Sequence, residues 1–248
     1  MTTEERVGGP VPPPPDTFYA RVGKRILDLA ISALVLLLAG PVMALIALAI
    51  RLEDGGPVFY RQERIGQGGR PFLLTKFRSM VVGAERKGAG ILVEKNDSRI
   101  TRVGKIIRKL SLDELAQVFD VIRGNMSIVG PRPGLRYQVE LYDDEQRRRL
   151  SVRPGITGWA QVNGRNSIPW PERIRLDLEY IDRLSLWMDL KVILLTIPSV
   201  LKGSDLIADA DYWKKKREEL AARAARQETV PAEAGGNAPA RPGEEARK

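Results

Sequence analysis

"ILDLAISALVLLLAGPVMALIALAI", residues 26–50, is the most apolar stretch of this 248-residue chain. Besides the small residues of the stretch, only Asp28, Ser32 and the pair Gly40–Pro41 interrupt its run of bulky apolar side chains. About 20 apolar residues suffice for one helix to cross a bilayer, so this stretch must meet lipid or be deeply buried. One interpretation is therefore a membrane-spanning helix.

Two other interpretations are a cleaved signal peptide and a re-entrant hairpin. "ALA" at 47–49 resembles a cleavage site, although the apolar region is longer than signal peptides usually carry. Pro41 removes a backbone donor and Gly40 weakens the helix beside it, which predicts a sharp break. Basic residues flank both ends, and the positive-inside rule then assigns both flanks to the cytoplasm. The flanking residues are Arg21, Lys24 and Arg25 before the stretch and Arg51, Arg61 and Arg64 after it. The sequence therefore favours a helix-break-helix over residues 17–50 that enters and leaves the membrane on one side.

Composition limits the available chemistry. The net charge of +9 suits an anionic partner, such as nucleic acid, an anionic membrane surface or a phosphorylated substrate. The chain has no histidine and no cysteine, which excludes disulfides, thiol nucleophiles, imidazole acid–base catalysis and the usual zinc sites. Any catalysis must use carboxylates, Lys, Arg, Tyr or Ser.

The rest of the chain predicts an α+β protein. Residues 1–16 form a Pro-rich leader expected to be disordered, and 204–248 a charged, largely disordered tail, in which a short charged helix is expected from about residue 217. Between the hairpin and the tail, 51–203 make one small α/β domain. Its "PVFYRQERIG" and "RPFLLTKFRSM" segments, separated by "QGG", predict a β-hairpin.

Two helices of this domain have amphipathic patterns. Residues 99–109 are basic, and 172–190 place Ile174, Leu178, Ile181 and Leu184 on one stripe. Both helices are candidates for the membrane surface, where Trp159, Trp170, Trp187 and Trp213 would act as anchors; core packing is equally compatible with each indole.

The segment "SLDELAQVFDVIRG", 111–124, predicts a helix that starts with an acidic pair. Ser111 is expected as N-cap, and Ser111 with Glu114 matches a capping box. Asp113 would then only complement the helix dipole. The basic residues around the pair favour a second interpretation, because Arg108, Lys109 and Arg132 attract phosphate oxygens and keep a carboxylate ionised.

This second interpretation is phosphoryl transfer to a carboxylate. An ionised Asp can attack phosphorus when Arg, Lys or a divalent cation neutralises the phosphate oxygens. Mg²⁺ is the expected ion, since it needs only one or two carboxylates in addition to diphosphate and water oxygens.

The segments "KRILDL", "GPVFYRQERIG", "KFRSM", "ITRVGKIIRKLSLDELAQ", "GNMSIVGPRP", "RPGITGWAQVNGR" and "DLKVILLT" together resemble the bacterial monotopic phosphoglycosyl transferases. These are the polyprenyl-phosphate sugar-phosphate transferases. The resemblance covers about residues 20–203 and is that of the minimal catalytic form. The sequence departs from the pattern in having Gly40 where Ser is frequent and Ala116 where Pro is frequent.

The resemblance implies a ping-pong transfer of a sugar 1-phosphate from a UDP-sugar to polyprenyl (undecaprenyl) phosphate, with release of UMP. Asp113 would be the nucleophile and a magnesium ligand, and Glu114 its partner as proton acceptor or in positioning the metal. Arg108 and Arg132, with Lys76 and Arg78 as further neighbours, would bind phosphate and nucleotide.

The resemblance also implies a location. The domain would lie on the cytoplasmic face of the bacterial inner membrane, in contact with anionic lipids of the inner leaflet, and a homo-oligomer is compatible with it. The alternative is a non-catalytic basic scaffold that binds anionic lipid. Nucleic-acid binding rests on the isoelectric point alone and leaves the apolar hairpin unexplained. The sequence does not specify the sugar or the glycoconjugate pathway.

Overall fold

The computed structural model of the chain describes residues 6–86, 97–164, 167–201 and 210–228. The leader before residue 6, the tail segments 204–209 and 229–248, and the loop residues 165 and 166 lie outside this description, so the predictions made for them stay predictions. Two compact units divide between residues 209 and 210. The second unit contributes one described helix, at the place where a charged helix was predicted.

The described residues form a mixed helical and stranded fold, which confirms the α+β class. The helices are α1 Lys24–Asp54, α2 Arg102–Lys109, α3 Val118–Arg123, α4 Arg136–Val139, α5 Asp144–Arg147, α6 Trp159–Val162, α7 Trp170–Asp182, α8 Leu186–Leu201 and α9 Ala210–Glu228. The strands are β1 Phe59–Ile65, β2 Pro71–Phe77, β3 Ser127–Val129 and β4 Gly155–Thr157.

The predicted hairpin is confirmed. Strands β1 and β2 pair antiparallel, with Tyr60 opposite Lys76. Between them lies a short 3₁₀ turn, Gln67–Gly69, in which Gly68 and Gly69 have positive φ. Strands β3 and β4 form a separate parallel pair, and β4 is followed at once by the short helix α6.

Helix α1 differs from the predicted helix-break-helix. It is one α-helix from Lys24 to Asp54 that includes Gly40 and Pro41, and the predicted interruption is not confirmed. A proline inside a helix removes one backbone hydrogen bond, a loss that the Ala- and Leu-rich turns on both sides and the packing of both halves can offset. This helix, with the turn before it, is long and apolar enough to cross a membrane, by length and composition.

The first half of α1 is attached by polar groups. Lys24 is buried and donates to the carboxylate of Asp189 at 2.7 Å, to the Val129 carbonyl at 2.8 Å and to the Tyr180 hydroxyl at 3.0 Å. One turn later, Asp28 accepts hydrogen bonds from the Ser127 hydroxyl and the backbone N–H of Ile128. These bonds compensate for burying charge and hold α1 against β3 and α8.

The second half of α1 is attached by apolar packing. Met43, Ile46 and Ile50 form a core cluster with Phe77 of β2 and Ile107 of α2. At the end of the helix, the Glu53 carboxylate accepts a hydrogen bond from the backbone N–H of Arg102, which begins α2. Both halves of α1 therefore pack on the same unit, while the outer face remains apolar and exposed.

The predicted helix 172–190 is two helices, α7 and α8. The stripe Ile174, Leu178, Ile181 and Leu184 is buried or half-buried; Ile181 and Leu184 belong to the main core cluster, and Leu178 packs against it. The stripe of α7 is therefore a core face, so the interfacial interpretation does not hold for it. Helix α8, in contrast, exposes apolar side chains, including Trp187 at 77% exposure.

We predict that Asp189→Ala destabilises the protein strongly. The substitution leaves the Lys24 ammonium buried without its counter-ion, and breaking a buried pair in this way costs about 3–5 kcal/mol. Thermal or chemical unfolding of the detergent-solubilised protein measures the loss.

Asp182→Ala is the matched control, because Asp182 pairs with Arg148 at the surface and an exposed pair contributes about 0–1 kcal/mol. The double substitution Lys24→Met with Asp189→Leu should recover most of the stability. Equal losses for Asp189→Ala and Asp182→Ala would contradict the anchoring role of the buried pair.

Candidate active site

The acidic pair lies in a 3₁₀ turn, Leu112–Gln117, that joins α2 to α3. Ser111 precedes this turn with φ of 55° and is the only described non-glycine residue with positive φ. Its side chain makes no capping hydrogen bond, so the predicted N-cap and capping box are wrong. The physical reason is that Ser111 has a left-handed backbone between α2 and a tighter 3₁₀ turn. In this turn the Glu114 side chain pairs with Lys76 and Arg132 and does not reach back to the backbone N–H of Ser111.

Glu114 forms the central ion pairs of the site. Its Oε1 accepts hydrogen bonds from the ammonium of Lys76 at 3.0 Å and from the guanidinium of Arg132 at 2.7 Å. Burial disfavours the charged form, but the charges of Arg132 and Lys76 and their hydrogen bonds outweigh it, and the pKa of Glu114 is well below its usual range. Glu114 is therefore the carboxylate that the surrounding cations keep ionised.

Asp113 lies in a different environment. The residue is buried, with 8% of its surface exposed, and no described residue donates a hydrogen bond to its carboxylate. Burial raises the pKa of Asp113, and the negative charge of the neighbouring Glu114 raises it further. The positive charge of Lys76 acts in the opposite direction but does not cancel the increase. The two adjacent carboxylates thus have pKa values shifted in opposite directions, which is a common arrangement where two carboxylates have different tasks.

The two partners of Glu114 are themselves held in place. Asp120, at the start of α3, accepts hydrogen bonds from the backbone N–H of Thr75 at 2.7 Å and from its hydroxyl at 3.1 Å, next to Lys76 on β2. On the other side, Arg149 donates to the backbone carbonyl of Arg132 at 3.3 Å. Sequence reasoning missed Asp120 and Arg149, because their partners are distant in the chain.

The structure separates the other predicted phosphate ligands. Arg108 lies in the last turn of α2 and donates to the Ser79 hydroxyl at 3.4 Å, and its charge acts on Asp113. Arg78 instead donates to Asp54 at 2.5 and 2.6 Å and to the Pro57 carbonyl at 2.6 Å, at the end of α1. Glu114 is in direct contact with Lys76 and Arg132. Arg78 pairs with Asp54 and has no described hydrogen bond to these three residues.

A cavity of about 700 Å³ opens beside the acidic pair. Ser111 and Glu114 belong to its wall, and α1 and α8 contribute an apolar side. The polar side carries groups that were not predicted as site residues: Arg64, Arg149, Arg173, Asp177, Gln138 and Trp170. Burial, together with the charge of Arg132, lowers the pKa of Arg64 to about 10.

Residues 19–203 match the family model described as bacterial sugar transferase. The chain belongs to this family. The matched region begins just before α1 and ends just after α8, so it includes the membrane-type helix, the acidic pair and the cavity. An enzyme of the transferase class, as the sequence predicted, is therefore confirmed.

Named relatives agree with this family. The chain is 47% identical over 179 residues to "Uncharacterized sugar transferase EpsL" of Bacillus subtilis (strain 168), covering 72% of this chain and 87% of that protein. It is 42% identical over 205 residues to "UDP-glucose:undecaprenyl-phosphate glucose-1-phosphate transferase" of Caulobacter vibrioides, covering 79% of this chain and 74% of that protein.

A protein of the same name from Escherichia coli (strain K12) is 44% identical over 205 residues. The match covers 78% of this chain but only 44% of the Escherichia coli protein. The chain thus spans less than half the length of that relative.

We predict that Glu114→Gln lowers the free energy of unfolding at neutral pH by about 2 kcal/mol, because Lys76 and Arg132 lose their shared counter-ion. The pKa of Glu114 is lower in the folded state than in the unfolded state. Its stabilisation is therefore complete above the ordinary Glu pKa of about 4.3 and is lost as the pH falls further. Unfolding of both proteins across this pH range measures the effect.

The difference in the free energy of unfolding between the wild type and Glu114→Gln should accordingly become smaller below about pH 4. Glu63→Gln is the control, since Glu63 pairs with Arg136 at the surface and should show a small difference. A Glu114→Gln difference that stays constant from neutral pH to strong acid would contradict the ion-pair explanation.

Proposed function

We propose that this sugar transferase moves a sugar 1-phosphate from a UDP-sugar to polyprenyl phosphate and releases UMP. The observation that carries the proposal is the pair of adjacent carboxylates with opposite environments: Glu114 ion-paired to two cations, and Asp113 buried beside the same cations without a hydrogen bond. The names of the Caulobacter and Escherichia coli relatives support the substrate class, since both name UDP-glucose and undecaprenyl phosphate.

In the first half of the proposed reaction, a carboxylate oxygen of Asp113 attacks the sugar-proximal phosphorus of the donor. The bond from that phosphorus to the bridging oxygen breaks, UMP leaves with the bonding electrons, and an acyl phosphate links Asp113 to the sugar phosphate. In the second half, an oxygen of polyprenyl phosphate attacks the same phosphorus. The bond to Asp113 breaks, which restores its carboxylate and gives the diphosphate-linked sugar.

The cations around the pair have a defined part in this reaction. An anionic nucleophile must approach an anionic phosphate, and Lys76, Arg132 and Arg108 supply the positive charge that reduces their repulsion. Glu114 fixes Lys76 and Arg132 on the side where the phosphate would bind. Its low pKa keeps it ionised, which suits holding these cations or helping to position a metal ion better than accepting a proton.

The residues present fit a magnesium ion that is shared with the substrate. No group of three or more acidic side chains able to hold a metal occurs in the described part of the chain. The carboxylate of Asp113, which receives no hydrogen bond from the described residues, is the available protein ligand. Bound Mg²⁺ would neutralise diphosphate oxygens, which supply most of its ligands.

Attachment of α1 at both ends supports a re-entrant topology. Arg25 donates to the carbonyls of Val121 and Ile122, and at the other end Glu53 and Asp54 bond Arg102 and Arg78 of the same unit. A helix that crossed the bilayer would place its two ends on opposite sides of the membrane, where one cytoplasmic unit could not hold both. We therefore propose that α1, although it is one continuous helix, bends at Gly40–Pro41, dips into the cytoplasmic leaflet of the bacterial inner membrane and returns.

We predict that Asp113→Asn abolishes UMP release from a UDP-sugar in the presence of Mg²⁺ and undecaprenyl phosphate, with a loss of at least about 10³-fold, because the amide is not an anionic nucleophile. Membrane association should be unchanged, since α1 is intact. A panel of UDP-sugars scored by UMP release measures both the activity and the sugar preference.

The covalent step is tested separately by quenching wild type with donor alone and analysing peptides by mass spectrometry. A sugar-phosphate adduct on Asp113, absent from Asp113→Asn, is the expected result. Product formation without any adduct on this side chain would contradict the covalent mechanism. A complete lack of turnover across the panel would favour the lipid-binding scaffold.

The topology has its own prediction. Membrane-impermeant labels directed to a cysteine placed at Thr3 and to one placed at Lys248 should react only from the cytoplasmic side of inner-membrane vesicles, because α1 returns to the side it entered. Both sites are added to a chain without native cysteine, so the labelling is specific. Reaction of the two sites from opposite sides would replace the re-entrant helix with a spanning one.

A further inference from the structure

We infer that Asp177 recognises the nucleoside of the donor, by accepting the N3–H of a uracil base. This inference rests on the proposed function, because it concerns the donor side of the same cavity. Asp177 lies on α7, is 2% exposed and contributes to the polar wall of the cavity. It is separated in sequence from every residue of the acidic pair and its cations.

The two carboxylate oxygens of Asp177 differ. Oδ2 is paired with Arg149, at 2.6 Å from Nη2 and 2.9 Å from Nε. Oδ1 is buried and has no hydrogen-bond partner among the described residues. A buried carboxylate oxygen without a donor is costly, so a ligand that supplies an N–H or O–H at this point would be bound favourably.

The position of Asp177 selects the nucleoside over the sugar. Arg132 contacts Glu114 through its guanidinium and Arg149 through its carbonyl, and Arg149 in turn contacts Asp177. Two arginines therefore separate Asp177 from the acidic pair. In a UDP-sugar whose sugar-proximal phosphate lies at Asp113, the sugar is bonded directly to that phosphate, whereas the base lies beyond a second phosphate and the ribose.

The surroundings of Asp177 suit a planar base. Trp170 also lines the cavity, and stacking of a base on an aromatic side chain is favourable. Arg149 lies 5.7 Å from the centroid of the Trp170 ring, so the cation that holds Asp177 also packs on the indole. Ile31, Val35 and Ile193, which also line the cavity, have apolar side chains that cannot hydrogen-bond a base edge.

The chemistry predicts a change of base preference. Uracil N3 carries a hydrogen and needs an acceptor, whereas cytosine N3 is an acceptor and needs a donor. In Asp177→Asn, the amide oxygen replaces Oδ2 as the partner of Arg149 and the amide nitrogen replaces Oδ1, which turns the acceptor into a donor. The variant should therefore bind UMP more weakly and CMP more tightly than the wild type.

The experiment measures dissociation constants of UMP and CMP for the full-length protein in detergent or nanodiscs. The ratio of the CMP constant to the UMP constant should fall by about tenfold or more in Asp177→Asn, because a site built around one hydrogen bond rejects a ligand that leaves it unpaired. Because binding is measured without turnover, the same ratios can be determined in the Asp113→Asn background. Activity of Asp113→Asn would refute the proposed mechanism without changing these ratios.

Two control variants make the outcome decisive. Glu172→Gln removes an exposed carboxylate one turn and a half earlier on α7 and should leave both constants unchanged. Gln161→Leu removes Oε1 of Gln161, a second buried acceptor oxygen of the cavity lining that has no hydrogen-bond partner among the described residues, and should leave the ratio unchanged.

Several outcomes would overturn the inference. One is a folded Asp177→Asn protein that keeps the wild-type ratio; this would reduce Asp177 to a partner of Arg149. A second is a higher KM for the UDP-sugar with unchanged UMP binding, which would move the contact to the sugar. A third is a ratio of the CMP to the UMP constant that changes in Gln161→Leu but not in Asp177→Asn, which would place the base at Gln161.

Discussion

The ion pairs of Glu114 with Lys76 and Arg132 are the interactions on which the site depends. They join three segments that are distant in sequence: the second strand of the hairpin, the 3₁₀ turn and the loop after β3. The Glu114 carboxylate thus holds Lys76 and Arg132 close together, and the charge of these two cations acts on the adjacent Asp113. The same arrangement explains why two neighbouring acidic residues differ, since one neutralises the cations and the other is left beside them.

Helix α1 packs into the same unit that carries the acidic pair and is not a separate membrane anchor. The buried Lys24–Asp189 pair connects α1 to α8, and Phe77, which ends the strand that carries Lys76, packs on the second half of α1. Helix α8 also contributes to the cavity beside Glu114. The position of the acidic pair relative to the apolar face of α1 is therefore set by packing within one unit.

Local patterns allowed part of this structure to be predicted from the sequence. The β-hairpin followed from alternating side chains around "QGG", and α2 followed from its amphipathic period and begins after Thr101, whose hydroxyl accepts a hydrogen bond from the N–H of Gly104. The acidic pair and Arg132 were found because they are close in sequence to other charges. Family resemblance, rather than spacing, assigned their roles.

The remaining features depend on contacts that sequence spacing does not contain. Ser111 fits the preference for an N-cap, yet its backbone is left-handed and its side chain makes no capping hydrogen bond. Arg149 and Asp177 are 28 residues apart, and either one alone reads as a surface charge. Continuity of α1 through Pro41 likewise depends on packing at both ends of the helix, which propensity rules do not include.

The backbone of Ser111 carries a thermodynamic cost, about 1–2 kcal/mol for an L-residue in the left-handed helical region. A glycine there would remove most of this strain, but it would also let the chain populate many more conformations just before the two carboxylates. Serine at this position therefore has a cost in stability but gives the chain a narrower range of backbone conformations next to the acidic pair. Global stability and a fixed orientation of the acidic pair favour different residues at this one position.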